Sequence, residues 1–516
     1  MQNQATHASM DRVKVRELQK WFMSHIAEDG KPYSVDKNQA KIVLDVHKNT
    51  LVTARAGSGK TRTIVAKIVY LLTHENIDAK EIIVFSFNRK ARAEINERLT
   101  RITFDGTPLF EYPPEIATTF HGFAYKILGG KERIGNSLIT ETENLELIQK
   151  AVSSANPEIV AQFATSGAKP EKALQFITRA EQQFFKDYNL LQEKIKQLED
   201  TDIKTNLENL YQILLHYKKS LKQKGKTNFN EMMFHAAEKI RKENLEFPYK
   251  YIFVDEYQDF SKLFLNLILA LRSRVPDSKL LAVGDDWQAI NRFAGSDVKY
   301  FKNFNKYFPE DSAKLFIPTN YRSGKTIVKN ANYFMGKCMK DYKGCKTGNK
   351  THAEIFIKNM LFENYQTTIL KIIKKNPNKT IKILSRNNDL NFERISLLDF
   401  TEQIRQNLAK EYPEQNLENL ISESTIHRSK GLESDIVILL EIDAGKFPGP
   451  DKSGGLYEIF GDTAENLFLD EARLFYVALT RPKEKLYILS KTTKIRKETK
   501  NYNFLSYLND EWIEEL

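Results

Sequence analysis

The sequence predicts an α/β protein with two parallel sheets and an all-helical insertion within the first of them. Short apolar runs that end in glycine or acidic residues recur along the chain. They are typical of buried parallel strands, whose carboxyl ends carry ligand-binding turns. Residues 125–245 lack such runs and are dense in Lys, Glu, Gln and Leu at helical spacing. A chain of 516 residues is too long for one ordinary hydrophobic core, so we expect several domains.

The composition indicates a globular protein with a basic surplus. Hydrophobic residues make up 41% and charged residues 28% of the chain, which excludes a disordered protein. The net charge of +11 fits a polyanionic partner, although a solvated lysine face gives the same surplus. Cys338 and Cys345 lack zinc-site spacing and are interpreted as reduced thiols. Residues 1–11 are polar and the apolar run 263–271 covers half a membrane span, so we expect a cytoplasmic protein without membrane contact.

Two sets of apolar runs define the predicted sheets. The first set is 51–53 (LVT), 82–85 (IIVF), 251–254 (YIFV) and 280–283 (LLAV). The second set is 315–317 (LFI), 381–384 (IKIL), 436–440 (IVILL) and 486–489 (LYIL). The predicted segments are an N-terminal helical extension at 1–30, the first sheet domain at 31–124 and 246–312, the helical insertion at 125–245 and the second sheet domain at 313–516.

A phosphate-binding loop follows the first predicted strand. Residues 54–61 (ARAGSGKT) lie between a strand and a helix, where backbone N–H groups and the helix dipole can face a phosphate. Lys60 can reach the β- and γ-phosphates, and Thr61 can bind a magnesium ion. Arg55 is expected to add positive charge near the phosphates. The residues predicted to contact the nucleotide here are Ala56, Gly57, Ser58, Gly59, Lys60, Thr61 and Arg62.

Two adjacent carboxylates follow the predicted strand 251–254. Asp255 is assigned to the magnesium ion, and Glu256 is assigned to the attacking water, which it orients or deprotonates. An isolated Asp-Glu pair is usually a pair of surface charges. This pair is informative because it follows a buried strand in a chain that already carries a phosphate loop.

Further short blocks follow one another in a fixed order from about Tyr33 to Leu489. They are Gln39, 85–91 (FSFNRKA), 118–121 (TTFH), 255–259 (DEYQD), 284–290 (GDDWQAI) with 293–295 (FAG), 320–323 (NYRS), 425–433 (TIHRSKGLE) and 471–481 (EARLFYVALTR). Together they resemble the UvrD/Rep-type superfamily 1A DNA helicases, and within that family they are most similar to helicase IV. The resemblance implies two RecA-like domains (1A and 2A) with the helical 1B insertion in the first. It also implies ATP and Mg²⁺ as cofactors.

The resemblance implies further nucleotide contacts outside the phosphate loop. These are Gln39 and Tyr321 for adenine, Glu433 for the ribose, and Arg322 and Arg481 for the γ-phosphate. Gln288 is expected to couple the nucleotide to the nucleic-acid strand. Each of these residues alone has a plainer interpretation, since most arginines are solvated or salt-bridged, and the ordered co-occurrence of the blocks favours the functional one.

The resemblance also implies a set of nucleic-acid contacts. They are Phe87, Asn88, His121, Phe293, Thr425 and His427, with base stacking by Phe87 and Phe293. Alone, these aromatic residues and histidines are more often packed core residues. The sequence also departs from the family: Arg55 replaces a frequent small residue, Asn291 replaces a frequent tyrosine, and residues 228–232 (NFNEM) are a variant of an acidic element. The short distance between 320–323 and 425–433 predicts that the 2B insertion is absent or very small.

The implied function is that of an ATP-dependent DNA helicase or single-strand DNA translocase with 3′ to 5′ polarity. Its substrates would be single-stranded DNA and 3′-tailed duplex DNA. An alternative from another class is an ATP-gated DNA-sensing subunit of an effector or phage-defence complex that unwinds little. A nuclease or a DNA-repair protein is the partner that fits these functions. A metabolic P-loop kinase is disfavoured because it leaves the blocks after Gly284 unexplained.

Overall fold

Two six-stranded parallel sheets organise the chain into two α/β lobes. The computed structural model describes residues 2–154, 170–185, 187–340, 342–361, 363–392, 394–443, 446–449, 458–491 and 503–516. The predicted fold class, with two parallel sheets and a helical insertion in the first, is confirmed. Among the helices in these ranges, none is both long and apolar enough to cross a bilayer.

The first lobe is built on a sheet whose strands are all parallel. In spatial order they are Ser312–Ile317, Asn49–Ala54, Lys279–Gly284, Tyr251–Val254, Ile82–Ser86 and Ala117–Thr119. Leu51 packs in one hydrophobic core and Val52 in the other, because successive side chains point to opposite faces of a sheet. The helices that cover the faces are Lys37–Val43, Lys60–Thr73, Arg89–Thr100, Lys262–Arg272, Lys299–Lys302 and Phe304–Tyr307.

One strand predicted for the second sheet belongs to the first. The run 315–317 was assigned to the domain 313–516, but Ser312–Ile317 pairs in parallel with Asn49–Ala54, with Phe316 opposite Thr53. The boundary between the lobes therefore falls after Ile317. An apolar run carries no information on which of two parallel sheets it joins, so the sequence pattern could not place this strand.

The second lobe contains the other parallel sheet. Its strands, in spatial order, are Ile421–Thr425, Ile381–Ser385, Ser434–Leu440, Pro482–Ser490, Glu354–Asn359 and Glu514–Glu515. Its helices are Lys325–Cys338, Tyr365–Lys374, Leu397–Ala409, Leu417–Leu420 and Ala464–Leu479. Two minor ladders join Thr319–Asn320 to Lys346–Thr347 and Asp389–Leu390 to Ile395–Ser396. The elements that the structure describes between 324 and 424 pack in this lobe, and they form no separate domain.

The regular elements that the structure describes in the insertion are helices, apart from one isolated bridge between Leu138 and Thr227. The insertion's helices are Gly130–Ile134, Glu141–Ser153, Pro170–Phe184, Tyr188–Lys196 and Thr201–Gln223. The helices Phe120–Ile127 and Phe229–Lys242, which flank them in the chain, pack on the first sheet. The helix Glu141–Ser153 begins with a capping box, in which Thr140 and Glu143 satisfy each other's backbone N–H groups. Phe460 of the second lobe packs into the insertion's core against Phe176 and Phe184. The insertion thus contacts both lobes.

The N-terminal extension is one helix, Gln2–His25, followed by a small antiparallel sheet that the sequence did not predict. The sheet consists of Ile26–Glu28, Lys31–Pro32, Ile102–Phe104 and Thr107–Pro108. Phe22 is buried beside Tyr33 and joins the helix to the core of the first lobe. Strands of two or three residues are too short for an alternating pattern to show.

Candidate functional site

The phosphate loop makes two tight turns between the strand Asn49–Ala54 and the helix Lys60–Thr73. Gly57 and Gly59 have φ angles of 69° and 80°, which glycine adopts without steric cost. A Cβ on Gly57 would lie 2.7 Å from the Cβ of Arg322 in the second lobe. The helix has no side-chain cap at its N-terminus, so its first N–H groups are available to an anion.

The acidic pair lies at the end of a central strand beside the phosphate loop. Nζ of Lys60 is 3.6 Å from Oε2 of Glu256. Glu256 has a φ of 52°, a left-handed conformation that costs a non-glycine residue about 1–3 kcal/mol. Such strain is found most often at functional sites. Asp255 is buried, and its Oδ1 accepts a hydrogen bond from the backbone N–H of Glu256 at 2.9 Å.

The two adjacent carboxyl groups differ in their protonation. Burial, followed by the charge of Glu256, raises the pKa of Asp255 to about 7. Burial also acts to raise the pKa of Glu256, but the ammonium groups of Lys60 and Lys430 outweigh it and lower that pKa to about 2. Glu256 therefore stays ionised at neutral pH, whereas the charge of Asp255 needs a cation nearby to be favourable.

The residues of this wall fit a magnesium nucleotide. The buried Ser58 hydroxyl has no hydrogen-bond partner among the described residues, although it lies in a loop rich in backbone donors. Buried polar atoms normally have partners, so such an atom in a phosphate loop suits a ligand contact. Asp255 supplies the hard oxygen that Mg²⁺ prefers, and Thr61 begins the helix beside Lys60.

Arg481 of the second lobe forms the opposite wall and reaches the first lobe. Its Nη2 lies 3.4 Å from Oε1 of Gln288. Its Nε and Nη1 donate to the backbone carbonyls of Val477 and Leu432 at 2.8 and 3.1 Å. Burial, followed by the charge of Arg322, lowers the pKa of Arg481 to about 9. The guanidinium is thus held by carbonyl oxygens and carries no carboxylate partner among the described residues.

Arg322 and Glu433 are paired with each other at the same interface. Nε of Arg322 donates to Oε2 of Glu433 at 2.7 Å, and Lys483 approaches the other carboxylate oxygen at 3.1 Å. The backbone N–H of Tyr321 donates to the carbonyl of Gly57 at 2.8 Å. The block 320–323 therefore lies directly against the phosphate loop.

The two residues predicted to contact adenine meet at Asp36. Oε1 of Gln39 accepts from the backbone N–H of Asp36 at 3.0 Å, which completes the capping box of the helix Lys37–Val43. Nε2 of Gln39 lies 3.4 Å from the carbonyl of Ser58. The hydroxyl of Tyr321 donates to the carboxylate of Asp36. Gln39 therefore has a local capping contact in addition to its place beside the loop.

An aromatic pair, in which Phe293 is exposed and His427 is partly buried, spans the two lobes at the carboxyl edges of their sheets. The Phe293 side chain is 49% exposed, and its ring centre lies 5.7 Å from that of His427, with the planes nearly perpendicular. Burial, followed by the charge of Arg386, lowers the pKa of His427 to about 4, so its imidazole is neutral. Thr425 ends the strand Ile421–Thr425, two residues before His427.

A cavity of about 370 Å³ lies between the first lobe and the helical insertion. Its aromatic lining consists of Phe87, His121, Tyr217, Phe229 and Phe264. Burial lowers the pKa of His121 to about 4, so the wall it forms is uncharged. Its polar lining includes Glu181, whose carboxylate accepts hydrogen bonds from the amides of Asn228 and Asn230.

Two family models match the chain. The one described as UvrD/REP helicase N-terminal domain matches residues 35–309. The chain belongs to the UvrD/REP helicase family. The model described as UvrD-like helicase C-terminal domain matches residues 388–493, so both lobes of this UvrD/REP chain are represented.

Curated relatives carry helicase names. DNA helicase IV of Escherichia coli (strain K12) is 26% identical over 493 residues, which are 87% of this chain and 67% of that protein. The probable DNA helicase II homolog of Mycoplasma capricolum is 27% identical over 63% of this chain and 44% of its own length. The ATP-dependent DNA helicase PcrA of Staphylococcus aureus is 26% identical over 58% and 39%, respectively. The chain thus spans about two thirds of the first relative and less than half of the others.

The structure gives two of the predicted residues a different environment. Arg55 was expected to add charge at the phosphates, but it is buried against Trp287 and paired with Asp285 and Asp286. The two carboxylates neutralise the charge of this guanidinium, so Arg55 adds little positive charge near a bound nucleotide. Asn88 is exposed, and its Oδ1 caps the helix Arg89–Thr100 by accepting from the N–H of Ala91 at 2.8 Å.

Two residues of this UvrD/REP site were missed from the sequence. Lys430 pairs with the carboxylate of Asp259 and donates to the carbonyl of Gln288 at 2.9 Å, so it links the lobes beside Glu256. It lies within 425–433, but a lysine has no spacing signal of its own. Phe229 is 49% exposed and its ring lies 5.2 Å from that of His121. An exposed aromatic within the variant element 228–232 was the signal available for it.

Proposed function

We propose that this chain is an ATP-dependent DNA helicase or single-strand DNA translocase with 3′ to 5′ polarity. The observation that supports it most is a cleft with two unlike walls. Lys60 and Glu256 lie 3.6 Å apart on one wall, and Arg481 approaches Gln288 from the other. Phosphoryl transfer depends on positioned charge more than on covalent chemistry, so such a cleft suits hydrolysis controlled by lobe closure.

We assign the first lobe to domain 1A, the insertion to 1B and the second lobe to 2A. Glu256, which is ionised at neutral pH, orients the attacking water and accepts its proton. Arg322 and Arg481 stabilise the negative charge that develops on the transferred phosphoryl group. Thr61 and Asp255 would hold Mg²⁺, which when bound neutralises phosphate charge.

The nucleic-acid strand is assigned to the groove marked by Phe293 and His427. Phe293 belongs to the first lobe and His427 to the second, so a change in the distance between the lobes alters their spacing. Stacking on aromatic side chains suits any base, which fits a motor that moves regardless of sequence. The names of the relatives support DNA as the strand, and the family resemblance supports the polarity.

A second candidate is an ATP-gated DNA sensor that signals to a partner nuclease or repair protein and unwinds little. The observation behind it is that the described residues between 324 and 424 form no separate domain. A compact motor of this kind has less surface with which to separate strands. Displacement of a strand from a 3′-tailed duplex distinguishes this candidate from a helicase.

The test is ATP hydrolysis measured side by side with single-stranded DNA, duplex DNA and RNA. We expect single-stranded DNA to stimulate hydrolysis most, and unwinding of a 3′-tailed but not a 5′-tailed duplex. Strong stimulation without displacement of either duplex would favour the sensor. Hydrolysis indifferent to all three nucleic acids would contradict both candidates.

A further inference from the structure

Arg55 of the phosphate loop extends into the interior of the protein. Its guanidinium carbon lies 3.8 Å from the ring centre of Trp287, and Nη1 is 2.6 Å from carboxylate oxygens of both Asp285 and Asp286. These acidic residues follow the strand Lys279–Gly284, which pairs with the strand that leads into the loop. Stacking and two charge-assisted hydrogen bonds therefore join the loop to the neighbouring strand end.

The same guanidinium also reaches the second lobe. Nε of Arg55 donates to the backbone carbonyl of Lys343 at 2.8 Å. Lys343 precedes the strand Lys346–Thr347, which pairs with Thr319–Asn320 beyond the lobe boundary. Because the donors of a guanidinium are fixed in one plane, a shift of Lys343 relative to Asp285 must strain or break one of these bonds.

Asp285 transmits this constraint to both halves of the catalytic centre. Its Oδ2 accepts from Nε2 of Gln288 at 2.7 Å, and Oε1 of Gln288 faces Arg481 at 3.4 Å. Its backbone N–H donates to Oε1 of Gln258 at 2.8 Å. Nε2 of Gln258 in turn donates to the carboxylate of Glu256. One continuous network thus runs from Arg55 to the water-orienting carboxylate and to the arginine of the opposite wall.

We propose that Arg55 is a positioning residue, which ties the second lobe to Glu256 and Arg481 through Asp285 without contacting the nucleotide. The proposal rests on the ATP hydrolysis proposed above. A purely structural buried ion pair can often be exchanged for apolar residues at no loss. The bond to Lys343 and the two branches from Asp285 give Arg55 a function that such an exchange would remove.

Steady-state ATP hydrolysis of Arg55→Met and Arg55→Lys with saturating single-stranded DNA tests the proposal. Each kcat is divided by the concentration of sites titrated with a fluorescent ATP analogue, so that misfolded protein does not count. We expect kcat of Arg55→Met to fall about 10-fold and the KM for ATP to change less than about 2-fold. The loss in Arg55→Lys should be smaller, because the ammonium keeps a charge beside Asp285.

A double-mutant cycle of Arg55→Met with Gln288→Ala tests whether Arg55 acts on hydrolysis through Gln288. The alternative is that each residue affects kcat independently of the other. If Arg55 acts through Asp285 and Gln288, the double variant is about as slow as the slower single variant, whereas independent effects multiply. Should Arg55→Met fail to fold, Arg55→Lys is used in the same cycle with the same expectation. If the reductions in kcat of the two single variants multiply in the double variant, Arg55 does not act through Asp285 and Gln288, and the proposal is overturned.

Arg274→Met is the matched control in the same lobe. Its Nε and Nη2 donate to the carbonyls of Ile240 and Arg241 at 2.8 and 2.9 Å, at the end of the helix Phe229–Lys242. We expect its site-normalised kcat to equal that of the wild type. Unchanged kcat in both Arg55 variants, or an equal fall in Arg274→Met, would overturn the proposal. A wild type without DNA-stimulated hydrolysis would instead overturn the proposed function.

Discussion

Asp255 and Glu256 show how neighbouring residues of one chemical type acquire different properties. Both follow the same buried strand, but Lys60 lies 3.6 Å from the carboxylate of Glu256 and Lys430 adds a second charge. The pKa of Glu256 is consequently lowered, while that of Asp255 is raised. The difference between the pKa values of the two carboxyl groups therefore depends on two lysines distant in sequence, and the roles proposed for Asp255 and Glu256 rest on that difference.

Glu256→Gln should retain nucleotide binding and lose hydrolysis. We expect kcat to fall at least about 100-fold, since a general base contributes about 10²–10⁴-fold. Lys60→Ala should weaken nucleotide binding as well, because it removes a phosphate contact. Glu81→Gln is a suitable control, because Glu81 lies far from the acidic pair. Its Oε1 is 2.7 Å from Nζ of Lys250, which directly precedes the strand Tyr251–Val254, whereas Glu256 follows the other end of that strand. Ordinary turnover by Glu256→Gln would remove its assignment as the base.

His121 should make the free energy of unfolding depend on pH in a range above that in which ordinary carboxylates titrate. Burial lowers its pKa from 6.5 to about 4. Between these values the unfolded chain binds a proton that the folded chain does not, so stability falls as the pH drops. At pH 5 the loss is about 2 kcal/mol. Asp255, whose pKa is raised, changes the free energy of unfolding in the opposite direction as the pH drops. The contribution of His121 is therefore measured as the difference between the wild type and a His121 variant.

The measurement is urea unfolding of the wild type and of His121→Gln at pH 7 and pH 5. The glutamine cannot take up the proton, so the variant should lose about 2 kcal/mol less than the wild type between these pH values. Equal losses in the two proteins would show that His121 titrates normally in the folded state.

The sequence was informative about residues that act through short motifs and uninformative about those that act through distant partners. The phosphate loop and the acidic pair were predicted, and the structure brings them together. The environment of Arg55 was not predictable, because its hydrogen-bond partners lie 230, 231 and 288 positions away. Only the fold decides that this arginine meets two carboxylates and an indole rather than a phosphate.

At the scale of elements, the periodic pattern predicted which segments are strands but not which sheet each joins. The strand Ser312–Ile317 looks like the strands of the second sheet, yet it extends the first beside Asn49–Ala54. Buried parallel strands are apolar on both faces, so their patterns are interchangeable. The helical insertion, by contrast, was predicted from its composition and residue spacing alone. Helical spacing over more than a hundred residues cannot be mistaken for the pattern of a strand.

The loop that carries Phe293 should determine the strength of strand coupling. Replacing Phe293 by Ala removes a stacking surface worth about 1–3 kcal/mol per base, so the DNA concentration for half-maximal ATP hydrolysis should rise about 5- to 150-fold. Hydrolysis without DNA should be unchanged.

Tyr412→Ala is the control for that experiment. Tyr412 is also partly exposed and packs near 376–379, at the end of the second sheet opposite Thr425. DNA coupling should be unaffected by its loss. An unchanged DNA requirement in Phe293→Ala would refute the assignment of the groove.

The helix Pro170–Phe184 joins the insertion to both lobes. Arg179 forms two hydrogen bonds with the carboxylate of Asp462, at 2.5 and 2.8 Å, and both residues are buried. Gln182 donates to the carbonyl of Ala294 at 2.9 Å, next to Phe293. The same helix therefore links the insertion to the second lobe and to the segment that carries Phe293.

Breaking that link should destabilise the protein. Asp462→Ala leaves Arg179 buried without this carboxylate, which costs about 3–5 kcal/mol in comparable buried pairs. Urea unfolding followed by tryptophan fluorescence measures the loss, and Asp435→Ala is a control on a partly exposed carboxylate of the second lobe. A loss no larger than that of the control would show that the pair contributes little.

At the scale of the whole molecule, the lobes meet through groups that the proposed mechanism uses. Arg481 approaches Gln288, Lys430 pairs with Asp259, and Tyr321 bonds to the carbonyl of Gly57. A nucleotide in the cleft would exchange some of these contacts for its own, and closure would then depend on the γ-phosphate. The sequence predicted both walls of this cleft but not the contacts that join them.

The central claim is that one cleft is completed by an arginine of the opposite lobe, and Arg481→Ala tests it most directly. The measurement is single-turnover ATP hydrolysis with saturating single-stranded DNA, with nucleotide binding measured in the same preparation. An arginine in this position contributes about 10³–10⁵-fold to the rate, so hydrolysis should fall at least about 1,000-fold while binding persists. Hydrolysis by Arg481→Ala at the wild-type rate would contradict the account.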